Sequence, residues 1–301
     1  MQSARAKLAK MAGFTLIEMS IVLVIIGLIV GGVLVGQDLI RASYLRAQIS
    51  QIEKFNTAVN TFYGKFQALP GDMNASTAAT FGFTPRGQYA GEGDGNGIIE
   101  GINSDGANQN FGDAEKAGET VMFWVDLSSN VAGNLIEGGF NTATPNTIPI
   151  PAPAGTGVAQ YLPEAKLGRG NYVYVWSCGP NNPPTSQGGG AGGCDGNNYY
   201  GVSVASFLLG STPGMTVKEA YDVDRKIDDG MPGSGRVIAE YLNSVPYWTQ
   251  GYNNTGALVL SNSSPSSITC FDTAGVWSLI PKYSVGYNNG AGLNCALSFR
   301  F

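Results

Sequence analysis

The longest apolar run of the chain lies near its amino terminus and contains one ionisable side chain. Between Phe14 and Gly36 only Glu18 can carry a charge. About 20 apolar residues, at a rise of about 1.5 Å each, span the hydrocarbon core of a bilayer as a helix. A carboxylate there costs about 2.5–3.5 kcal/mol at mid-membrane and less nearer the edge, so Glu18 needs a partner. Cleavage after Gly13 would create one, because the new amino terminus at Phe14 is a cation.

After this run the apolar spacing changes to steps of three and four, which predicts an amphipathic continuation of the same helix. The predicted buried positions are Leu45, Ile49, Ile52, Phe55, Val59, Phe62 and Phe66. The positions that fall largely off this face are Arg41, Arg46, Gln51 and Lys54. We expect one helix from about residue 14 to about residue 64, ended by Pro70 and Gly71, since proline cannot continue a helix.

The rest of the chain mixes strand and helix patterns. Residues 171–176 and 199–207 are rich in β-branched and aromatic side chains, which predicts strands. A helix over residues 217–229 is predicted to begin at a capping box formed by Thr216 and Glu219. These patterns predict an α+β fold, in which the long N-terminal helix packs on a loop-rich globular domain with an antiparallel sheet.

Charge and composition narrow the function. Three of the 17 cations precede Gly13, which leaves 14 cations against 22 anions and a net charge of −8 for the remainder. An acidic body argues against nucleic acid as a partner, because phosphate binding needs clustered Lys and Arg. The chain has no histidine, the commonest general base, so we expect no enzyme. A pair of acids serving a membrane-anchored surface glycosidase is the remote alternative.

The four cysteines lie in the C-terminal half, and an even number in an exported chain favours two disulfides. Chain order suggests pairing Cys178 with Cys194 and Cys270 with Cys295, each closing a short loop. Three connectivities are possible for four cysteines, and four free buried thiols are the alternative.

An acidic, glycine-rich loop follows the long helix. Glu92, Asp94 and Asn96 occupy every second position, which matches the first three side-chain ligands of an EF-hand calcium loop. Gly97 matches the glycine at the turn of that loop. The pattern departs at its far end, where Asn103 replaces the bidentate glutamate. A flexible acidic turn is the competing interpretation. The candidate calcium ligands are Glu92, Asp94, Asn96, Ile98, Glu100 and Glu119.

A second acidic group ends the helix predicted over residues 217–229. Asp224 and Asp228 are like charges four residues apart, and Asp228 and Asp229 lie at the negative end of the helix dipole. Both arrangements are unfavourable, so we expect a compensating charge. The candidates are Arg225, Lys226, Arg236 or a bound cation, and structural capping is the competing interpretation of the three aspartates.

The order of residues from Gly13 to Glu18, with the apolar run behind it, resembles the amino-terminal motif of bacterial type IV prepilins and type II secretion pseudopilins. By this resemblance Gly13 precedes the cut of a prepilin peptidase, Phe14 becomes the N-methylated first residue, and Glu18 guides subunit assembly. Residues 69–75 and 224–235 resemble segments of a long, minor-pilin-like subgroup. The resemblance therefore implies a pilin-like fold.

The resemblance also implies a structural role. The expected protein is a minor pilin or a pseudopilin, anchored in the inner membrane with its C-terminal domain in the periplasm, and then part of a periplasmic or extracellular filament. Its implied partners are the peptidase, other pilin or pseudopilin subunits and an inner-membrane assembly platform, with no required cofactor besides a possible calcium ion. A major pilin and an adhesin or DNA-uptake pilin are the alternatives. The implied organisation is a leader (1–13), a transmembrane or filament-core helix (14–36), its amphipathic continuation (37–66), a loop and helix subdomain (67–140), a Pro-rich linker (141–157) and a β-rich subdomain (158–301).

Overall fold

A computed structural model describes residues 15–86, 93–99, 118–140, 158–177, 196–205, 211–240, 264, 266–267, 269–272 and 280–301. The predicted α+β class is confirmed: a long N-terminal helix is followed by a globular part with an antiparallel sheet. The chain divides into two compact units, with the boundary between Tyr44 and Leu45. The predicted linker over residues 141–157 lies outside the described residues.

The first helix, α1 (Leu16–Phe66), is 51 residues long and contributes to both units. In the first unit its apolar side chains are exposed from Leu16 to Tyr44. Within the described parts of the chain, α1 is the one helix long and apolar enough to cross a membrane. It ends two residues later than predicted, at Phe66, and the following Gln67 has a left-handed backbone (φ 55°).

The second half of α1 buries the predicted face. Its buried apolar side chains include Leu45, Ile52, Phe55, Val59 and Phe62, while Ile49 and Phe66 are partly buried against the same core. Burying a side chain of this size contributes about 1.5–3 kcal/mol. This apolar stripe therefore makes the second half of α1 part of the globular core.

The prediction that Gln51 lies off this face is wrong, because its side chain is buried. Its Nε2 donates to the carbonyl of Glu164 at 2.8 Å, and its Oε1 accepts the N–H of Lys166 at 2.9 Å. Gln48, one turn earlier, accepts the N–H of Leu167 at 3.0 Å. Two glutamines thus hold a surface segment to α1, which a pattern of apolar positions cannot reveal.

Three further α-helices, two short 3-10 helices (Val158–Gln160 and Asn288–Gly290) and seven strands complete the described fold. The α-helices are α2 (Ala75–Phe81), α3 (Glu119–Ser128) and α4 (Val217–Ile227). The strands are β1 (Asn171–Ser177), β2 (Asn198–Ala205), β3 (Ser211–Thr212), β4 (Val237–Glu240), β5 (Phe271–Asp272), β6 (Lys282–Tyr283) and β7 (Ala296–Arg300). The main sheet has the order β1-β2-β7-β4, with β3 beside β2, and β5 pairs with β6; every pairing is antiparallel.

Aromatic rings join α1, α3 and the sheet. The Phe55 ring meets Trp124 of α3 edge to face, with centroids 5.0 Å apart, and Tyr200 of β2 stacks on Phe301 at 4.3 Å. Such pairs add about 0.5–1.5 kcal/mol each beyond their buried area. These contacts pack the second half of α1 and α3 against the sheet, and the same core also includes Val217, Ala220 and Val223 of α4.

The predicted capping box of α4 is confirmed. The N–H of Glu219 donates to Thr216 Oγ1 at 3.2 Å, and the N–H of Thr216 donates to Glu219 Oε2 at 2.9 Å. The helix ends at Ile227, two residues before the predicted end, because Asp228 leaves the helical conformation (φ −143°).

Of the two predicted disulfides, the bond between Cys270 and Cys295 is confirmed. It ties the segment before β5 to the start of β7. Cys178 and Cys194 lie outside the described residues, so their pairing stays a prediction.

Candidate functional site

The processing motif is described from its third residue onward. Gly13 and Phe14 lie outside the described residues, so the cleavage and methylation sites stay predictions. Glu18 Oε2 accepts the N–H and the hydroxyl of Thr15, each at 2.8 Å, and the N–H of Glu18 donates back to Thr15 Oγ1 at 3.2 Å. The two side chains form a capping box at the start of α1. Sequence reasoning missed Thr15, although its spacing of three residues from Glu18 is the signal of such a box.

Four glycines of α1 leave room for close contact with another helix. They form two pairs with a spacing of four residues, and nothing lies within 4 Å of a Cβ atom added at any of them. Small residues at this spacing let membrane helices approach closely. The four positions are Gly27, Gly31, Gly32 and Gly36.

The predicted calcium loop leads to a cluster of three carboxylates in the second unit. Oxygen atoms of Asp72, Asp94 and Glu119 all lie within 4.8 Å of one another. Asp94 and Glu119 were predicted ligands, and the structure brings them together. Asp72 was missed because it lies in the turn after α1, 22 residues before Asp94. The predicted ligands Glu92 and Glu100 lie outside the described residues.

Two further predicted ligands shape the loop around Asp94. The N–H and the Nδ2 of Asn96 donate to the two oxygens of Asp94 at 2.9 and 3.0 Å. The N–H of Ile98 donates to Asn96 Oδ1 at 2.7 Å. These local bonds curl the backbone, and the side chain of Ile99 is fully buried as an apolar anchor.

Two of the carboxylates also hold the loop backbone. Asp72 accepts the N–H groups of Gly95 and Gly97, each at 2.8 Å, and Glu119 Oε1 accepts that of Gly93 at 2.7 Å. Burial raises the pKa of Asp72; the N–H groups of Gly97 and Gly95 oppose this rise, and the charge of Asp94 adds to it. Like charges at this separation repel, so a proton or a cation stabilises the cluster.

The turn that carries Asp72 is fixed by a buried ion pair. Arg86 Nη2 donates to Asp126 Oδ1 of α3 at 2.6 Å, Arg86 Nη1 donates to Oδ2 at 3.1 Å, and both side chains are buried. Asp126 Oδ2 also accepts the N–H of Gly71 at 2.7 Å. Gly71 has a positive φ of 87°, and a Cβ there would lie 2.4 Å from the carbonyl oxygen of Glu119. Only glycine therefore lets the turn lie this close to α3.

The three aspartates at the end of α4 also lie together. Carboxylate oxygens of Asp224, Asp228 and Asp229 are within 4.8 Å of one another. Asp224 is fully buried and accepts the hydroxyl of Tyr283 at 2.7 Å and the N–H of Gly230 at 3.1 Å. Burial raises the pKa of Asp224 to about 7; the bonds from Tyr283 and Gly230 oppose this rise, and the charges of Asp229 and Asp228 add to it.

Hydrogen bonds compensate the two outer aspartates. Asp228 Oδ2 accepts the N–H of Arg236 and, at 3.3 Å, that of Val237. Asp229 accepts the N–H of Met231 at 2.8 Å and the hydroxyl of Ser234 at 2.7 Å. Of the predicted compensating residues, Arg236 contributes here through its backbone. These bonds favour the capping interpretation, while the cation stays a prediction.

Comparisons with known proteins address the amino-terminal motif. The family model of the prokaryotic N-terminal methylation motif matches residues 8–34. No curated protein and no solved structure matches the chain. The matched residues include Gly13, Phe14 and Glu18, and α1 begins among them.

Proposed function

We propose that the chain is a minor pilin or a pseudopilin of the type IV prepilin and pseudopilin family. An N-terminal methylation motif that leads into a long apolar helix supports this proposal. The motif implies processing by a peptidase and assembly with other pilin subunits. The finer proposal is cleavage after Gly13, methylation of Phe14 and polymerisation through α1. We propose a structural role and no catalytic one.

The observation that carries this proposal is the contrast along α1. Its first 29 residues, Leu16 to Tyr44, expose their large apolar side chains, and most of the large apolar side chains in its remaining residues are buried or partly buried in the second unit. Lipid or neighbouring α1 helices are the surroundings that remove such a surface from water. The basic leader favours a cytoplasmic amino terminus, so the proposed location of the second unit is the periplasm.

Mass spectrometry of the chain expressed with and without a prepilin peptidase tests the processing step. The expected mature mass lacks residues 1–13 and gains one methyl group, and fragmentation places the methyl on Phe14. An unshortened chain in the presence of the peptidase would contradict the proposal.

A variant of Glu18 separates assembly from processing. Glu18→Gln removes the charge but keeps the size of the side chain, so we expect a processed chain that is lost from the sheared filament fraction. Asp38→Asn, beyond the apolar run on the same helix, is the matched control and should assemble normally. Equal filament fractions for the two variants would argue against a role of the Glu18 charge.

We also propose that Asp72, Asp94 and Glu119 bind calcium. Hard carboxylate oxygens suit this ion, and the local bonds of Asn96 give the loop the curl that such sites need. Calcium should raise the melting temperature of the full chain in detergent, and a chelator should reverse this. Asp72→Asn should reduce the shift, whereas Glu53→Gln, an exposed acid on α1, should leave it unchanged. No shift for the unmodified chain would refute calcium binding.

A further inference from the structure

The ends of two neighbouring strands hold the acidic loop through side chains. Ser177, the last residue of β1, pairs in register with Asn198, the first residue of β2. Asn198 Oδ1 accepts the N–H of Ile99 at 2.8 Å, and its Nδ2 donates to the carbonyl of Gly97 at 2.9 Å. The hydroxyl of Ser177 donates to the carbonyl of Ile99 at 2.7 Å. Two adjacent side chains thus satisfy three backbone groups of the segment 97–99.

This contact is buried and directional. Ser177, Asn198 and Ile99 are all less than a tenth exposed. The amide of Asn198 presents one acceptor and one donor to the loop, as a neighbouring strand would. Losing the bond to Ile99 would leave a buried N–H of the loop unsatisfied.

The same short segment is held from its other side by the carboxylates. Gly97 donates its N–H to Asp72 and accepts from Asn198 through its carbonyl, so one residue joins the sheet to the acidic cluster. Asp94 lies three residues before Gly97 and is exposed. Its position beside Asp72 therefore depends on where the loop backbone is held.

We infer that Asn198 and Ser177 are positioning residues, which keep the loop where Asp94 can share a cation with Asp72 and Glu119. The inference rests on the proposed calcium site, and neither side chain needs to touch the ion. If a weakened contact leaves the loop in place for only a tenth of the time, calcium binds about tenfold more weakly, since apparent affinity scales with the competent fraction.

Calorimetric calcium titration of the full chain in detergent tests this, with hydrogen exchange of residues 93–99 as a second readout. Asn198→Leu removes two bonds and should weaken calcium binding about tenfold or more. Ser177→Ala removes one bond and should have a smaller effect in the same direction. Ser203→Ala is the matched control, because this buried hydroxyl of β2 has no hydrogen-bond partner among the residues that the structure describes. In Asn198→Leu and Ser177→Ala, the amide hydrogen of Ile99 should also exchange faster without calcium, and its slow exchange should return when calcium is added.

The outcomes distinguish the two proposals. Equal calcium affinity in the unmodified chain, Asn198→Leu and Ser177→Ala overturns the positioning role and leaves the calcium site standing. No binding by the unmodified chain overturns the calcium site and the inference with it. If Asn198→Leu loses its cooperative melting transition, the calcium affinities of Ser177→Ala and Ser203→Ala are compared instead. Weaker binding together with faster exchange, absent in the control, supports the inference.

Discussion

The two halves of α1 lie in opposite surroundings, and the first half is the more apolar of the two. From Leu16 to Tyr44 the large apolar side chains are exposed, and from Leu45 to Phe66 most of them are buried or partly buried. The first half carries one acid near its start, and its glycines have open space around them. The second half carries buried glutamines with specific hydrogen-bond partners. One continuous helix therefore serves two environments.

This difference shows where each half finds its stability. The second half is stabilised within the chain by apolar burial and hydrogen bonds. The first half has no comparable burial in its own unit, so its surroundings must provide it, as lipid and other helices do. A subunit that moves from a membrane to a filament would need an exposed apolar helix, as in the first half of α1. A domain that keeps its shape during that move would need a helix buried in its own core, as in the second half.

Removing residues 1–44 should have the largest effect, because it takes away the whole exposed half of α1. We expect the remaining chain to be soluble without detergent and to melt cooperatively, because its core contacts are retained. The full chain should require detergent. Both properties can be measured by sedimentation and by thermal melting followed by near-ultraviolet circular dichroism.

A deeper truncation provides the control. Removing residues 1–60 also takes Ile52, Phe55 and Val59 out of the core. At about 2–5 kcal/mol per large side chain, their combined loss is comparable to a total stability of about 5–15 kcal/mol. This fragment should not fold. If the shorter truncation also lacks a cooperative transition, the second unit is not self-sufficient.

Breaking the buried ion pair of the second unit should have the next largest effect. Asp126→Ala leaves the buried Arg86 guanidinium and the N–H of Gly71 without their acceptor, and we expect a loss of about 3–5 kcal/mol in the free energy of unfolding. Lys218→Ala, which breaks the exposed pair with Asp222 on α4, should cost less than about 1 kcal/mol. Denaturant midpoints measure both, and similar losses would contradict the importance of burial.

Local patterns predicted the parts of the fold that depend on neighbours in sequence. The face of α1, the capping box at Thr216 and the strands β1 and β2 all follow from such spacing. The bond between Cys270 and Cys295 also followed chain order.

Contacts between residues that are distant in sequence could not be predicted from local patterns. Asp72 lies beside Asp94 and Glu119 only because the turn after α1 packs on α3. Arg86 pairs with Asp126, which is 40 residues away in sequence. Spacing alone assigns Gln51 to the polar face, because its hydrogen-bond partners lie more than 100 residues away. Periodicity records which side of an element is buried, but it does not record which polar groups meet there.

The raised pKa of Asp224 should make stability depend on pH. With a folded pKa of about 7 and an ordinary value of 3.8, the folded state holds a proton that the unfolded chain releases. The stability that Asp224 contributes should therefore be greatest below the ordinary value, fall as pH rises towards about 7, and then level off. We expect a total change of roughly 1–3 kcal/mol, measured by urea unfolding with a chelator present.

Asp224→Asn should remove this part of the pH dependence. Its oxygen can accept the N–H of Gly230 and its amide can donate to the Tyr283 hydroxyl oxygen, so both bonds survive at any pH. Asp222→Asn on the same helix should keep the dependence of the unmodified chain. If calcium binds the three aspartates, it should stabilise the unmodified chain more at pH 8 than at pH 5, because at pH 5 it must displace the proton.

The smallest effect on the free energy of unfolding is expected at the C-terminal end of α1. Gln67 follows α1 with a φ of 55°, a conformation that glycine adopts without strain. Gln67→Gly should raise the free energy of unfolding by about 0.5 kcal/mol, since the relief of strain exceeds the added entropy of the unfolded chain only slightly. Asn134→Gly, at a φ of 50°, is the control and should gain less, because asparagine already tolerates this conformation. Urea midpoints of the two variants decide, and a lower midpoint for Gln67→Gly would mean that its side chain stabilises the end of α1.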